Sequence, residues 1–386
     1  MAGTGFGPND PLAVKTWSKA TLAEALQATK VAMFMGSDAG ALVHVKDEMT
    51  KMAGASVTFG LRTQLKAAGV AGDSDLQNNE EALVYRNDTL NINQLRNAVR
   101  VVGAMSQQFV PFDIRSEGKS GLADWWADRL DTGFLNQICG NTSLITTLPS
   151  DYLKYCGMNA PTAQVGLGTT NIMSVFPPTI TAESGLTAAG TNSANCMSLP
   201  LISQAKVKAM TARLPIRPIR VGSMDLYVAF LHPFQVYSLK VNTSTNSWIQ
   251  IQQSAMQGGV ITNNPIFTGA IGLHDGVLLH ESARVPWGNT STGRVGTNLG
   301  PPGNGTTNVA RGALCGAQAC MVAFGREAGW PYQMKWVEDL FDYENQLGVA
   351  ASMVYGAKKT VFKDSSGSDP IDFGVVTIST WADGIS

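Results

Sequence analysis

The chain has 386 residues, is 44% hydrophobic and only 15% charged, and carries a formal net charge of −1. The apolar content suffices for a core, but the charge lies well below the roughly 25% of an ordinary soluble protein, so the surface is polar without being ionic. Near-neutrality gives no support to tight electrostatic binding of nucleic acid, and no apolar run approaches the about 18 residues of a membrane span.

A surface so poor in charge is easily desolvated, which favours burial against neighbours and points to a subunit of an assembly. The length suits two or three domain-sized units, or one elongated subunit with excursions. Cys139, Cys156, Cys196, Cys315 and Cys320 are odd in number and lack CxxC spacing, so neither a disulfide framework nor a zinc site is expected. The first residues, MAGTGFGPNDPLAVKTW, lack the basic-then-apolar pattern of a signal peptide. The expectation is a cytosolic, reduced protein.

Residues 1–17 are punctuated by Gly and Pro and read as extended or mobile. Thr21 and Glu24 have capping-box spacing, which predicts a short helix reaching about Phe34. Val57, Phe59 and Leu61 alternate with polar residues and predict a strand. A turn-rich tip from Lys66 to Asn79, including Asp73, precedes a return run through Leu83, Tyr85, Leu90, Ile92 and Val99. Residues 54–103 therefore read as one long two-stranded excursion. Such a hairpin is marginal alone in water and needs something to lie on, for which another subunit is the economical candidate.

The strongest helical signal follows. Pro111 and Asp113 start it, Gly140-Asn141 stops it, and Leu122, Trp125, Trp126, Leu130, Phe134 and Ile138 line one face. Such a helix is roughly 39 Å long at about 1.5 Å per residue, longer than a small domain is wide. Gly118, Gly121 and Gly133 each weaken it by about 1 kcal/mol, so it must be a packed spine. Beyond it, residues 160–198 read as a long surface insertion. Helices are predicted over Leu201–Leu214, from Pro233 through Leu239 and over Asn246–Gln257, with strands at Met224–Phe230 and Val277–Leu279. Gly288 to Gly312 reads as a loop, Ala319–Phe324 as a short apolar run, and the tail from Met334 as strands ending in FGVVTIST.

Signals for chemistry are weak. Gly118-Lys119-Ser120 looks like the end of a phosphate-binding loop, but the required glycine five positions earlier is Asp113, and the tripeptide lies inside a helix. His44, His232, His274 and His280 show no metal-ligand spacing, and no GxSxG elbow exists. Neither a catalytic residue, a metal nor a cofactor is expected. Asp124, Asp128 and Asp131 recur at i, i+4 and i+7, an acidic stripe beside the tryptophans. A solvated face accounts for it best; a neighbouring subunit's arginines or a divalent ion are the sharper readings.

Several blocks together carry a resemblance. GDSDLQNNEEALVYRNDTLNINQLRNAV, then MSQQFVPFDIRSEGKSGLADWWADRLDTGFLNQICGN, NNPIFTGAIGLHDGVLLHES, RGALCGAQACMVAFG, ENQLGVAASMVYGAKKTVFKD and DFGVVTIST resemble, in that order, the major capsid proteins of the N-four-type podovirus family. The likeness covers most of the chain from Trp17 to Thr380 and departs at 160–198 and 288–312. It implies an α+β fold of the Hong Kong 97 type: an N-terminal arm (1–50), an extended loop (51–103), a spine helix with the first part of a peripheral domain (104–222), an axial domain (223–330) and return strands (331–386). It also implies a non-enzymatic shell subunit whose main partner is itself, in hexamers and pentamers. Portal, scaffolding or decoration proteins are further implied partners, and packaged double-stranded DNA is touched weakly. The implied location is the virion capsid, assembled in the host bacterial cytoplasm. Trp125, Trp126, Phe134, Asp124, Asp128, Asp131, Lys66 and Asp73 are the expected structural and assembly residues. The rival readings are a nucleotide-binding enzyme using Lys119 and a helical tube or sheath subunit.

Overall fold

In the computed structural model the described residues are 21–46, 56–62, 67–109, 113–141, 159–164, 173–181, 186, 195–241, 270–289, 308–325, 334–363 and 370–382, with positions 27–28, 39, 68, 73–74, 76, 78, 84, 179, 213–214, 222–223 and 344 set aside. In chain order they form helix α1 (21–26), strands β1 (Met35–Gly36), β2 (Val43–Lys46), β3 (Ser56–Arg62), β4 (Tyr85–Asn91) and β5 (Asn93–Arg100), and helices α2 (Ala104–Phe109) and α3 (Ile114–Ile138). Next come β6 (Ser174–Val175), α4 (Leu199–Thr211), β7 (Ile219–Val221), β8 (Met224–Leu231), α5 (Pro233–Val241), β9 (Ala270–His274), β10 (Val277–Glu281) and β11 (Trp287–Asn289). The chain continues through β12 (Asn308–Cys315), β13 (Cys320–Phe324), β14 (Met334–Phe341), β15 (Gln346–Lys359), β16 (Val361–Lys363), β17 (Pro370–Asp372) and β18 (Val375–Trp381).

Two sheets organise these elements. One has six strands in the order β1-β2-β13-β15-β14, with β5 also paired to β15; the other has eight, β6-β18-β12-β8-β10-β9, with β11 on β12 and β7 on β8. Helix α3 lies on the six-stranded sheet. Alternate residues of β15, from Val349 through Ala351, Met353, Tyr355 and Ala357, share one core with Leu122, Trp126, Leu130 and Phe134 of the helix. Side chains of a strand alternate between faces, so one row of β15 is committed to the helix. Val228, Phe230 and Leu278 of the eight-stranded sheet enter the same core. A second core lies between that sheet and helices α4 and α5.

The limits of α3 follow from its caps. The Asp113 carboxylate accepts from the Arg115 N–H at 3.1 Å, satisfying a donor that the first turn leaves without a partner. Gly140 ends the helix at φ 62°, a conformation glycine adopts without strain.

Several expectations change. The helix expected to reach Phe34 is described over 21–26, Thr29 and Lys30 are not helical, and Ala32–Phe34 forms a separate 3-10 turn. The chain opens between them so that the Lys30 and Val31 N–H groups can donate to Asp131. The excursion over 54–103 splits at Ile92. Only β3 and β4 pair as a hairpin, whereas β5 joins β15, from Asn93 opposite Tyr355 to Arg100 opposite Gly348. The 160–198 insertion is not confined to the surface, since Met173, Val175 and Met197 are buried and β6 pairs with β18. The 288–312 loop gives up its ends to β11 and β12. Gly312 is a packing glycine, because a Cβ there would lie 3.0 Å or less from the Gln235 amide oxygen and the Phe230 carbonyl.

The expected boundaries at 222/223 and 330/331 do not follow the sheets. Strand β18 of the tail joins the sheet built from β8, β10 and β12, while β13 joins the sheet of β14 and β15. The helix expected over Asn246–Gln257 lies outside the described residues, as does most of the N-terminal arm.

Candidate functional site

The functional candidate is a framework of contacts around α3. Trp126 is fully buried, edge-on to Tyr355 of β15 with ring centroids 6.0 Å apart. Trp125, one residue earlier, is half-buried, with the Arg129 guanidinium 5.2 Å from its ring centroid. Phe134 is buried in the shared core.

The three aspartates at i, i+4 and i+7 have different environments. Asp124 is exposed. Asp128 accepts from Arg284 Nε at 2.8 Å, and Asp131 from Arg284 Nη1 at 2.9 Å. Asp131 is wholly buried and also accepts from the backbone N–H groups of Lys30 and Val31 at 3.1 and 3.3 Å. The solvated-face account therefore fails at Asp131, and the arginine that meets the stripe comes from the chain itself. Burial raises the Asp131 carboxyl above its ordinary range, against the opposing pull of those N–H donors and Arg284. Lys30 donates from Nζ to the Glu281 carbonyl at 2.6 Å, and Phe34 stands edge-on to Phe230 and His280. The spine, the segment leading to β1 and the end of β10 are thus clasped at one junction.

Further ties fix the ends of this frame. Arg115, in the first turn of α3, donates to the buried Glu338 Oε1 from Nε at 3.0 Å and Nη2 at 2.7 Å. Trp336 Nε1 donates to the same oxygen at 2.8 Å. At the far end of β15, Lys359 and Asp372 form a fully buried ion pair at 2.8 Å. Burial lowers the Lys359 pKa, and Asp372 opposes that shift. The base of the β3–β4 hairpin lies on its own subunit: Val57, Phe59 and Leu90 pack on Met321 and Ala323, and Lys358 Nζ pairs with Asp88 at 2.6 Å. Asn159 bonds both backbone groups of Asn91. The need for support is thus met within the chain at the hairpin base. Lys66 and Asp73 of the tip lie outside the described residues.

Gly118-Lys119-Ser120 sits within α3, and Lys119 Nζ pairs with Glu24 at 2.8 Å. The backbone N–H groups of a helix interior point along the axis into its own carbonyls, which leaves no cradle for phosphate. Among the described residues no group of three or more His, Cys, Asp or Glu side chains is placed to hold a metal ion, and no helix is long and apolar enough to cross a membrane.

Sequence reasoning missed Arg284, Arg115–Glu338 and Lys359–Asp372. Parity carried a signal for one of these. Lys359 continues the odd-numbered row of β15 that faces the core, so an inward lysine required a buried partner.

A family model described as phage capsid protein matches residues 5–383. The chain is 29% identical over 376 residues to the major capsid protein of Pseudomonas phage KPP25, covering 94% of this chain and 93% of that one. Its structure is similar to the capsid of Ralstonia phage GP4, with a TM-score of 0.74, 28% identity and full coverage of both chains. It also resembles the capsid subunit of cyanophage Pam1, with a TM-score of 0.65, 17% identity and coverage of 93% and 94%.

Proposed function

Since the chain belongs to the phage capsid protein family, we propose that it is the major capsid protein of a tailed double-stranded DNA bacteriophage, with the Hong Kong 97-type fold, assembling with itself into the icosahedral shell of the virion. The observation that carries this reading is the similarity along the whole chain to the capsid of Ralstonia phage GP4. No part of the chain is left over to form a separate module.

The mechanism is mechanical. The clasped junction and the buried ion pairs hold each subunit rigid, so that the strain of a closed shell falls on contacts between copies. Asp128, Asp131, Trp126 and Phe134 belong to the subunit's own frame. We assign Asp124 and Trp125, which keep exposed surface, and the tip carrying Lys66 and Asp73 to contacts between copies. Copies associate as hexamers and pentamers, with portal, scaffolding or decoration proteins as further partners. Packaged DNA touches the inner wall without sequence specificity, as a net charge of −1 suits. Assembly takes place in the host cytoplasm. The helical setting of Lys119 and its pairing with Glu24 support a protein without nucleotide chemistry.

Expression of the full chain in bacteria followed by negative-stain imaging tests this. Closed shells are expected, with no ATP or GTP turnover. Open tubes would favour a sheath subunit, and small discrete particles hydrolysing nucleotide through Lys119 would favour an enzyme; either result would sink the capsid reading.

A further inference from the structure

Between the segment 33–42 and strands β7, β8 and β10 lies a hollow of about 320 Å³. Met33, Met35 and Leu42 line it from the segment, and Ile219, Leu226 and Leu278 from the strands. Phe34 and Val228 line it as well and belong to the core shared with α3, so the hollow opens from the edge of that core. Its cause lies in the sequence. The segment carries Gly36, Gly40 and Ala41, and a Cβ added at Gly40 would meet nothing within 4 Å. A side chain at position 40 would have room, and the chain supplies none.

Protein interiors pack like organic crystals, with few voids larger than a water molecule. An apolar hollow of about 150 Å³ accepts one benzene, and small-molecule sites begin at about 300 Å³. This one therefore has room for two fused rings. Water inside gains few hydrogen bonds from walls of Met, Leu, Ile and Val, so an apolar occupant displaces it at a gain. The rim decides what else that occupant carries. Arg220 is 81% exposed; its Nε donates to Asp225 at 3.0 Å, and its Nη groups have no partner among the described residues. They offer donors to a hydrogen-bond acceptor. Asp225 and the exposed Asp38, which also lines the hollow, outnumber this one cation, so an anionic head is repelled.

We propose that this hollow is a binding site for a small neutral molecule with a two-ring apolar body and one hydrogen-bond acceptor, which Arg220 holds at the rim. The occupant ties the segment 33–42 to β7 and β8, next to the clasp formed by Lys30, Asp131 and Arg284. A molecule that binds the folded subunit and not the unfolded chain stabilises the fold increasingly with its concentration. The site is complete within one chain, so the proposal does not depend on the capsid reading.

The test uses the full chain and prodan, a neutral two-ring ketone whose emission shifts to the blue in apolar surroundings. A saturable blue shift is expected, with a melting temperature that climbs with prodan concentration. Arg220→Ala should weaken prodan about tenfold, the effect of losing one hydrogen bond to a charged group. Plain naphthalene, read by its own rise in melting temperature, should bind that variant and the parent equally. Naphthoate, the anionic counterpart, should bind more weakly than prodan, and the gap should widen at low salt. Gly40→Phe fills the hollow and should abolish binding while circular dichroism stays at the parent's. Arg220→Ala alters an exposed side chain, so it keeps the site testable if the filled variant folds poorly. No blue shift up to the solubility of prodan, or binding untouched by both substitutions, would overturn the proposal. Naphthoate binding tighter than prodan would overturn it as well, since the rim would then select an anion.

Discussion

Trp126 and Trp125 are adjacent in sequence and unequal in consequence. Truncating the buried Trp126 to Ala removes a ring from the joint core and should lower stability by about 3–5 kcal/mol. Trp125, half-buried beside Arg129, should cost only about 1–2 kcal/mol and act more on assembly. Denaturant titration of the two variants measures the difference, and equal effects would show that the helix is not seated as described. The Lys359–Asp372 pair makes a different demand, because neither charge can be left alone in the interior. Lys359→Met or Asp372→Asn should each destabilise by about 3–5 kcal/mol, whereas the joint replacement Lys359→Met/Asp372→Leu should recover most of the loss. A joint variant no better than the singles would mean that the pair does more than neutralise itself.

Two buried imidazoles predict how the subunit responds to acid. Burial lowers the pKa of His232 and His280 from 6.5 to about 4, with Lys30 adding to the effect at His280. Between those values the unfolded chain binds protons that the folded chain refuses. Stability therefore rises with pH across this window and is lost as pH falls from about 6.5 to 4, by up to roughly 3 kcal/mol per imidazole. Asp131, its pKa raised by burial, acts in the opposite sense across the carboxylate range. Denaturant midpoints between pH 7 and 4 should fall steeply for the parent and less steeply for His280→Leu; parallel curves would remove His280 from the account.

At the scale of the element, the base of the hairpin belongs to the fold, and we propose that its tip serves assembly. Val57, Phe59 and Leu90 anchor the base, and the exposed Glu80, Glu81 and Leu83 lead into the tip. Replacing residues 67–78 with a Gly-Asn turn should leave a folded monomer with the parent's circular dichroism, since shortening a loop changes closure entropy by only about 0.6 kcal/mol per halving. Shell formation should fail or weaken. An unfolded monomer would show that the tip packs at home, and heat-resistant shells would remove it from assembly. The spine was the most legible element, because caps and three- and four-residue spacing are local signals. The hairpin was legible only as a pair of alternating runs. Alternation gives a strand its two faces and is silent on its partner, so β5 was assigned to the hairpin when it belongs to β15.

The whole molecule is knit by strands that cross its linear order. Strand β18, at the end of the chain, lies between β6 and β12, and β13 lies between β2 and β15. Residues of both sheets share a core with α3. A single calorimetric transition for the monomer is therefore expected, with the calorimetric and van't Hoff enthalpies equal. Two resolved transitions would mean that the sheets unfold as separate domains.

By itself the sequence determined the local facts: a capped spine from Ile114 to about Cys139, helices from about Leu201 and from Pro233, strands at Met224, Val277 and in the FGVVTIST tail, and a surface poor in charge, which favours burial against neighbours. It also carried the family, through blocks whose order could be compared. Tertiary structure alone decided which strand lies beside which, that Arg284 reaches Asp128 and Asp131 across more than 150 residues, that Lys359 is buried against Asp372, and that Tyr343 stands exposed. The division has a physical cause. Helix caps and side-chain periodicity depend on residues within a turn or two, whereas sheet pairing, buried ion pairs and exposure depend on which distant segment fills the space alongside, and that choice belongs to the free energy of the whole chain.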